Sequence, residues 1–518
     1  MPRYIIGVHS GHDASACLLR DNKIAFAIEK ERLTRKKHDF GDPIECVDYL
    51  LASEGILPRQ IDLVVRNNWF DAVSLNDEYY LKFPNVVVNK NHHLFHAYAN
   101  SLMIPPDEDV LIWVIDGRGC RPEDIGYKNY GKNLFEAESI YRIKGNHIES
   151  LEKRFAIHYP KAFPWGSHMD TMGYAFAAIS KIVFSDVNAA GKIMALASFG
   201  KYNPIIPSVL SKDRDVLISK QWIQFLQSLE LPQEWGTEMA QDLSYSIQYA
   251  LETYSINRIH TLIKKYSIRK IGISGGIALN CKNNGRIANL KDVEKLYLFP
   301  ASGDDGLSIG GAVWAMRSVF KDYAPVEWHY GLGRQYAKTL FFNRDAEKVV
   351  EFLIKGAVVG IFEGGSEFGP RALCHRSLIA RADDIKLKII LNEKVKQREI
   401  FRPFGGIILR KNLSCVTRDI LPSDYMLSAV RMNDESSKQY PALIHKDNTV
   451  RLQVIEDEQS SAYKILDLYE KRTGKMMLIN TSFNGRGEPI VETVDDTLNC
   501  AKRIGVRYIL INGHLVFQ

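Results

Sequence analysis

At 518 residues the chain exceeds one ordinary domain and suits two to four units. Charged residues make up 25% of it, 67 basic against 61 acidic, for a net charge of +6; this excludes a disordered or collagen-like chain and permits an anionic substrate or a weak nucleic-acid contact without demanding either. The longest apolar run, 110–115, is far below the ~18–20 residues that span a bilayer, the first six residues lack a signal-peptide core, and seven cysteines without a CxxC pair argue against a disulfide framework or zinc ribbon, so a reduced cytoplasmic protein without membrane contact is expected.

Strand and helix patterns alternate throughout, which makes the class mixed α/β. Three short strands are expected at 4–9, 14–19 and 25–29, separated by turns at Ser10-Gly11-His12-Asp13 and Arg20-Asp21-Asn22. Asp42-Pro43 reads as an N-cap with proline at the first helical position, followed by Ile44, Val47, Leu50 and Leu51 at helical spacing. His92 and His96 stand at i and i+4; on a helix they share a face and can grip one metal ion, although that spacing alone is more often structural. Asp116 follows an apolar strand and precedes Gly117-Arg118-Gly119. Asp304 lies in Gly303-Asp304-Asp305-Gly306, just after the strand 296–299. A strand-end carboxylate beside glycine can reach a metal or phosphate, because the loop backbone can approach closely; Asx turns or helix caps are the alternative. Two histidines and two aspartates with open positions suit Fe²⁺, Mn²⁺ or Zn²⁺ better than Ca²⁺.

The strand 270–273 runs into Ser274-Gly275-Gly276 and on to Asn280, a glycine loop that reads as opening a helix whose N–H groups would cradle an anion. It is neither a Walker A loop nor a GxGxxG fingerprint. The strands 110–115, 270–273 and 296–299 each end in a glycine-rich turn, a layout suited to nucleotide binding at strand C-termini. The segment 321–345 lacks periodicity and marks a domain junction; a second αβ unit starts near Arg344, with its first strand at 356–362. Trp69, Phe70, Tyr79, Tyr80 and Trp165 are candidates for stacking on a sugar or ring, and equally for core.

Taken in order, several motifs resemble those of the antibiotic and nodulation-factor O-carbamoyltransferases. They are Gly11-His12-Asp13-Ala14-Ser15-Ala16, Glu31-Arg32 with Lys37-His38, His92/His96, Asp116-Gly117, Gly191-Lys192-Ile193-Met194-Ala195-Leu196-Ala197, Ser274-Gly275-Gly276 and Gly303-Asp304-Asp305-Gly306. The C-terminal part adds Glu367-Phe368-Gly369-Pro370-Arg371-Ala372-Leu373, Lys396-Gln397-Arg398-Glu399, Phe401-Arg402-Pro403-Phe404 and Asn480-Thr481-Ser482-Phe483-Asn484-Gly485. The resemblance covers about residues 4 to 518. It implies an actin/Hsp70-like transfer domain over 1–335 and a YrdC-like domain over 345–518 that forms carbamoyl-adenylate from carbamoyl phosphate and ATP, with Mg²⁺. The first domain, carrying Fe²⁺, would pass the carbamoyl group to a hydroxyl of a small molecule.

On that resemblance Arg371, Lys396, Arg398, Arg402 and Arg451 bind the anionic substrates, with Lys396-x-Arg398 and Ser482-x-Asn484 paralleling YrdC-type signatures. Without the resemblance, the basic stretch 394–398 reads as a solvated edge strand. Lys396 and Arg402 join His12 as catalytic residues, His12 as general base. Ser274, Gly275, Gly276 and Asn280 form the phosphate loop, His92, His96, Asp116 and Asp304 hold the metal, and Arg32 and Lys37 contact donor or acceptor. Two departures stand out: Cys374 where the family usually has glycine, and Gly364-Gly365-Ser366 where it often has arginine. Three rivals remain. A fused threonylcarbamoyl enzyme for tRNA would favour a more basic chain, so no nucleic acid is expected. A hydrogenase-maturation carbamoyltransferase would carry zinc-binding CxxC pairs. A non-transferring ATPase or chaperone of the actin/Hsp70 fold would have no use for the HxxxH pair or the C-terminal cations.

Overall fold

Three sheets organise the chain in a computed structural model that describes residues 2–68, 76–128, 131–163, 166–213, 216–230, 232–336 and 343–518. The first sheet comprises β1 (Tyr4–His9), β2 (Ser15–Arg20), β3 (Lys23–Glu29), β4 (Leu63–Asn67) and β5 (Val86–Val88), in the order β3-β2-β1-β4-β5. Its apolar face, with Ile6, Val8, Ala16 and Leu18, is covered by Cys46, Val47 and Leu50 of the helix Ile44–Glu54. That helix starts where the proline indicates, but Asp42 does not cap it. The N-cap position is Pro43, while the Asp42 carboxylate accepts hydrogen bonds from Ser10 Oγ, Tyr80 OH and the Asn76 amide.

The second sheet comprises β6 (Asp109–Ile115), β7 (Leu134–Lys144), β8 (His147–Phe163), β9 (Gly166–Met169), β10 (Lys270–Ser274) and β11 (Lys295–Leu298), ordered β11-β10-β6-β7-β8-β9. Within it β6, β10 and β11 run parallel, with Ile271 opposite both Leu111 and Leu296. Their C-terminal ends therefore open on one edge. The third sheet holds β12 (Val359–Phe362), β13 (Arg376–Arg381), β14 (Gly405–Leu409), β15 (Tyr425–Arg431), β16 (Thr449–Ile455), β17 (Met477–Ser482), β18 (Tyr508–Ile511) and β19 (His514–Phe517), ordered β15-β16-β14-β17-β13-β12-β18-β19. The mixed α/β class is thus observed.

The chain forms two compact units. One gathers the chain up to Arg66, the stretch ending at Val87 and Ala324–Gln518; the other is essentially Val88–Tyr323. In the first unit the N-terminal hairpins are bonded to the C-terminal third. Ile24 N–H donates to Glu327 O (3.0 Å) and Ala27 N–H to Leu332 O (3.1 Å). Arg35 donates to Ile490 O (2.7 Å) and Pro489 O (3.0 Å). The buried Arg32 guanidinium donates to Gly369 O (2.9 Å), and Glu29 accepts from Gly369 N–H (2.6 Å). Stranding such buried polar groups costs ~1–3 kcal/mol each. A fragment of residues 345–518 alone is therefore expected to be insoluble or to melt without cooperativity, and co-expression with residues 1–66 to restore it. A soluble, cooperatively melting fragment would contradict the bonding described here.

Candidate metal centre and a buried cation cluster

His92 and His96 lie on the helix His92–Asn100 and share one face, both imidazoles buried. Asp116 follows β6 and Asp304 opens the short turn after β11, so the parallel register delivers both carboxylates to one edge. Two contacts fix the helix over that edge. Asn100 Nδ2 donates to Ile273 O (3.0 Å) and Tyr297 O (3.2 Å). Gly310, on the helix Leu307–Trp314, lies so close that a Cβ there would sit 2.0 Å from Phe95 O. His92 Nε2 lies 3.1 Å from Asp116 Oδ2 and 3.5 Å from Asp304 Oδ1, and His96 Nε2 lies 3.3 and 3.5 Å from the same oxygens. The two Nε2 atoms are 3.2 Å apart.

The four ligand atoms all lie within 4.8 Å of one another, close to the ~4.0–4.6 Å maximum for atoms bound to one ion at ~2.0–2.3 Å. Two neutral nitrogens and two anionic oxygens suit a transition divalent ion, and the residues present fit one. The imidazoles form the floor; the aspartates, 13% and 16% exposed, form the mouth. Without an ion, burial pulls the His92 imidazole down, but Asp304 and Asp116 more than offset this and hold it up at about 9. Asp116 is pushed up by burial and by Asp304, yet the two imidazoles keep it below the usual carboxylate range.

The glycine loop behaves differently from expectation. It enters a short turn, Gly276–Leu279, and the helix begins only at Cys281. Asn280 is the N-cap of that helix: its Oδ1 accepts from Asn283 N–H (3.0 Å) and its Nδ2 donates to Gln248 Oε1 (2.8 Å). Gly275 N–H donates to Ser302 O (3.0 Å) and Gly276 N–H to Asp116 Oδ1 (3.2 Å). Two loop amides are therefore committed to the protein, and one of them orients a candidate metal ligand. Gly275 has φ +90°, and a Cβ there would meet Ile115 O at 2.4 Å. Ser274 is buried beside them.

In the first unit four of the five predicted cations, Lys396, Arg398, Arg402 and Arg451, act on one another. Lys396 is not on a solvated edge strand; it follows the turn Leu391–Val395 and is 5% exposed. Its ammonium donates to Ser482 O and Asn484 O, both at 2.8 Å, and also to Asn484 Oδ1. Lys396 thus ties the Ser482-Phe483-Asn484 segment in place. Burial first, then Arg398, Arg402 and Lys37, push its pKa well below the lysine range. Burial with Arg402 and Arg451 does the same to Arg398. Among the described residues, Glu399 is the carboxylate that both Arg398 and Arg402 feel. Arg398 is also held by Asn392 Oδ1 (2.8 Å) and lies over the Phe404 ring.

Arg371 is half-buried in the loop that folds around Glu367, whose carboxylate accepts from the amides of Leu373, His375 and Arg376. Cys374 in that loop has φ +73°, the left-handed conformation glycine favours. Its thiol packs near Gln453 and Asn480, and burial raises its pKa well above the usual thiol value.

Arg32, expected to contact donor or acceptor, is 1% exposed, and its guanidinium donates to Gly369 O. Lys37 is exposed and acts electrostatically on Lys396. His12 is 44% exposed, its Nδ1 2.8 Å from Asp13. Asp13 and His38 complete that group; both stand in the quoted motifs without an assigned role, because only the folded turns bring His38 to Asp13. Tyr80 is core, its hydroxyl on Asp42, and Tyr79 bonds Asp48 (2.6 Å); Trp69, Phe70 and Trp165 lie outside the described residues.

The full chain should bind one divalent ion per molecule by elemental analysis, losing it in the His92→Gln/His96→Gln variant. Gly275→Ala, which pushes against Ile115 O and the Asp116 Cβ, should weaken that binding ~10–100-fold. Separately, saturating pyrophosphate should stabilise the chain by roughly 2.7 kcal/mol at a hundredfold excess over Kd, and less in Arg402→Gln. Because burial and neighbouring arginines depress Lys396, an arriving anion raises its pKa. Without anion, the unfolded lysine holds its proton more tightly, so stability rises with pH between the depressed value and the ordinary one.

Family models place these residues in a known context. The model described as "Carbamoyltransferase N-terminus" matches residues 4–91 and 80–313, and "Carbamoyltransferase C-terminus" matches 350–518. An uncharacterized protein of Synechocystis is 26% identical over 99% of this chain and 96% of its own length. Nodulation protein NolNO of Sinorhizobium fredii is 26% identical over 98% of this chain and 79% of its own. The 3'-hydroxymethylcephem-O-carbamoyltransferase of Amycolatopsis lactamdurans is 24% identical over 96% of each. With both halves matched, the chain belongs to the carbamoyltransferase family and is a carbamoyltransferase.

Proposed function

We propose that this carbamoyltransferase is ATP-dependent and O-specific: it forms carbamoyl-adenylate from carbamoyl phosphate and ATP, then transfers the carbamoyl group to a hydroxyl of a small molecule. The observation that carries this is the group of cations around Lys396: the lysine is 5% exposed and feels Arg398, Arg402 and Lys37, and Arg451 acts on both Arg398 and Arg402, for which Glu399 is the offsetting carboxylate among the described residues. Such a cluster is stabilised by a polyanion, and two anionic co-substrates supply that charge. Residues 345–518 would form the adenylate on a YrdC-like domain, and residues 1–335, actin/Hsp70-like, would carry out transfer.

In adenylate formation water first cleaves carbamoyl phosphate to carbamate and phosphate; a carbamate oxygen then attacks the α-phosphorus of ATP-Mg²⁺ and pyrophosphate leaves. Arg398, Arg402 and Arg451 would hold phosphates, with Arg371 as a further contact. Lys396 contributes charge and fixes Ser482 and Asn484. In transfer His12 accepts the proton of the acceptor hydroxyl. His92, His96, Asp116 and Asp304 would hold Fe²⁺, which supplies Lewis-acid polarisation and orientation of a phosphate oxygen. Ser274, Gly275 and Gly276 are the loop at that edge. Reduced cysteines support a cytoplasmic setting, and the low net charge supports a small-molecule rather than nucleic-acid acceptor.

The test is mass spectrometry of the purified, Fe²⁺-loaded chain with ATP, carbamoyl phosphate and Mg²⁺. Carbamoyl-adenylate and pyrophosphate are expected, with formation falling at least ~100-fold in Arg402→Gln. ATP cleaved to ADP and phosphate without carbamoyl-adenylate would overturn the reading in favour of an ATPase.

A further inference from the structure

Asp13 carries two imidazoles. One carboxylate oxygen lies 2.8 Å from His12 Nδ1 and the other 2.8 Å from His38 Nδ1. The two rings stack at 5.4 Å between centroids, 20° from parallel. The loops that carry them are clamped together: Gly11 N–H donates to Gly41 O (3.1 Å) and Gly41 N–H to Gly11 O (3.0 Å). His38 N–H donates to Glu31 Oε2 (2.8 Å), and the buried His9 places Nε2 3.0 Å from His12 O.

Asp13 and His38 both hold positive φ, +52° and +55°. Non-glycine residues occupy that region when their surroundings impose it, and such positions cluster at functional sites. Neither imidazole is there to fill a core, since His12 is 44% and His38 35% exposed. Burial pushes the Asp13 carboxyl up, but the hydrogen bonds it accepts from His12 and His38 prevail and hold it well below the usual carboxylate range. An ionised carboxylate only accepts, so each Nδ1 bears the proton and each neutral ring has its lone pair on Nε2.

We propose that Asp13 yokes His12 and His38 into a pair of imidazole bases for the transfer step, with Asp13 as positioning residue and His38 as the second base. This rests on the proposed carbamoyl transfer. Nε2 of one imidazole takes the acceptor's proton as the acceptor oxygen bonds to the carbamoyl carbon. The bond from that carbon to the AMP phosphate oxygen breaks, and AMP departs with the electron pair. Two bases in one cradle give the acceptor hydroxyl two approaches, so loss of either leaves residual transfer.

The full chain, labelled with ¹⁵N-histidine, allows the tautomers to be read directly by long-range ¹H–¹⁵N NMR at pH 8, with His12→Gln and His38→Gln for assignment. Both rings should carry the proton on Nδ1. Asp13→Asn, nearly isosteric, offers one acceptor and one donor, so one ring should turn over to Nε2–H while the other does not. The split reads out that Asp13, through its two oxygens, sets both tautomers. In parallel, AMP released per pyrophosphate, with glycerol as the hydroxyl probe, should fall at least tenfold in His38→Gln and in Asp13→Asn. His38 protonated on Nε2 in the unaltered chain, or an unchanged AMP-to-pyrophosphate ratio in both variants, overturns the inference. If the unaltered chain releases no pyrophosphate, the fault lies with the proposed function, and the tautomers alone decide whether the yoke exists.

Discussion

Bringing the Asp116 and Asp304 carboxylates to the same two imidazoles concentrates negative charge at the edge of the second sheet. Two unit charges ~4 Å apart repel by about 4 kcal/mol at an effective dielectric of ~20. Something positive has to offset this, either imidazolium protons or a divalent ion. Much of the second unit serves that geometry. The parallel register of β6, β10 and β11 puts three loops side by side. Asn100 and Gly310 hold the histidine helix against them, and Gly275 lets the glycine loop pass under Asp116.

The first unit poses the same problem with the sign reversed. Burial and the neighbouring arginines push the Lys396 pKa down, and the half-buried arginines repel one another with Glu399 as a partial offset. A stable protein keeps such an arrangement when a ligand of opposite charge completes it. The N-terminal hairpins take part in this unit rather than standing apart: Arg32 and Arg35 bond to backbone carbonyls of the C-terminal third, and Lys37 acts on Lys396.

Much of the arrangement was legible locally. The i, i+4 spacing of His92 and His96 and the glycines beside Asp116 and Asp304 identified four groups that the fold brings together. Lys396-x-Arg398 and Ser482-x-Asn484 pointed to side chains that meet through Lys396. Other residues make contacts within the protein that their local sequence did not announce. Asp42 precedes a helical proline, but Ser10, Tyr80 and Asn76 use its carboxylate. Asn280 stood in a glycine loop, yet its side chain caps the following helix. Arg32 belongs to a conspicuous motif, and packing encloses it. Cys374 keeps the backbone of a glycine, an adaptation visible only in its φ.

By itself the sequence determined the elements and the chemical inventory. Periodicity, turn residues and short motifs are local, and they encode helices, strands and the types of side chain near each end. Tertiary structure alone decided which groups meet and in what state. His92 and Asp304 are more than two hundred residues apart, and only strand register and helix packing set the 3.5 Å between them. The pairing of His12 with His38 through Asp13 likewise comes from two turns clamped by Gly11 and Gly41. Protonation follows the same rule, because a pKa depends on burial and on neighbouring charges, and folding creates both.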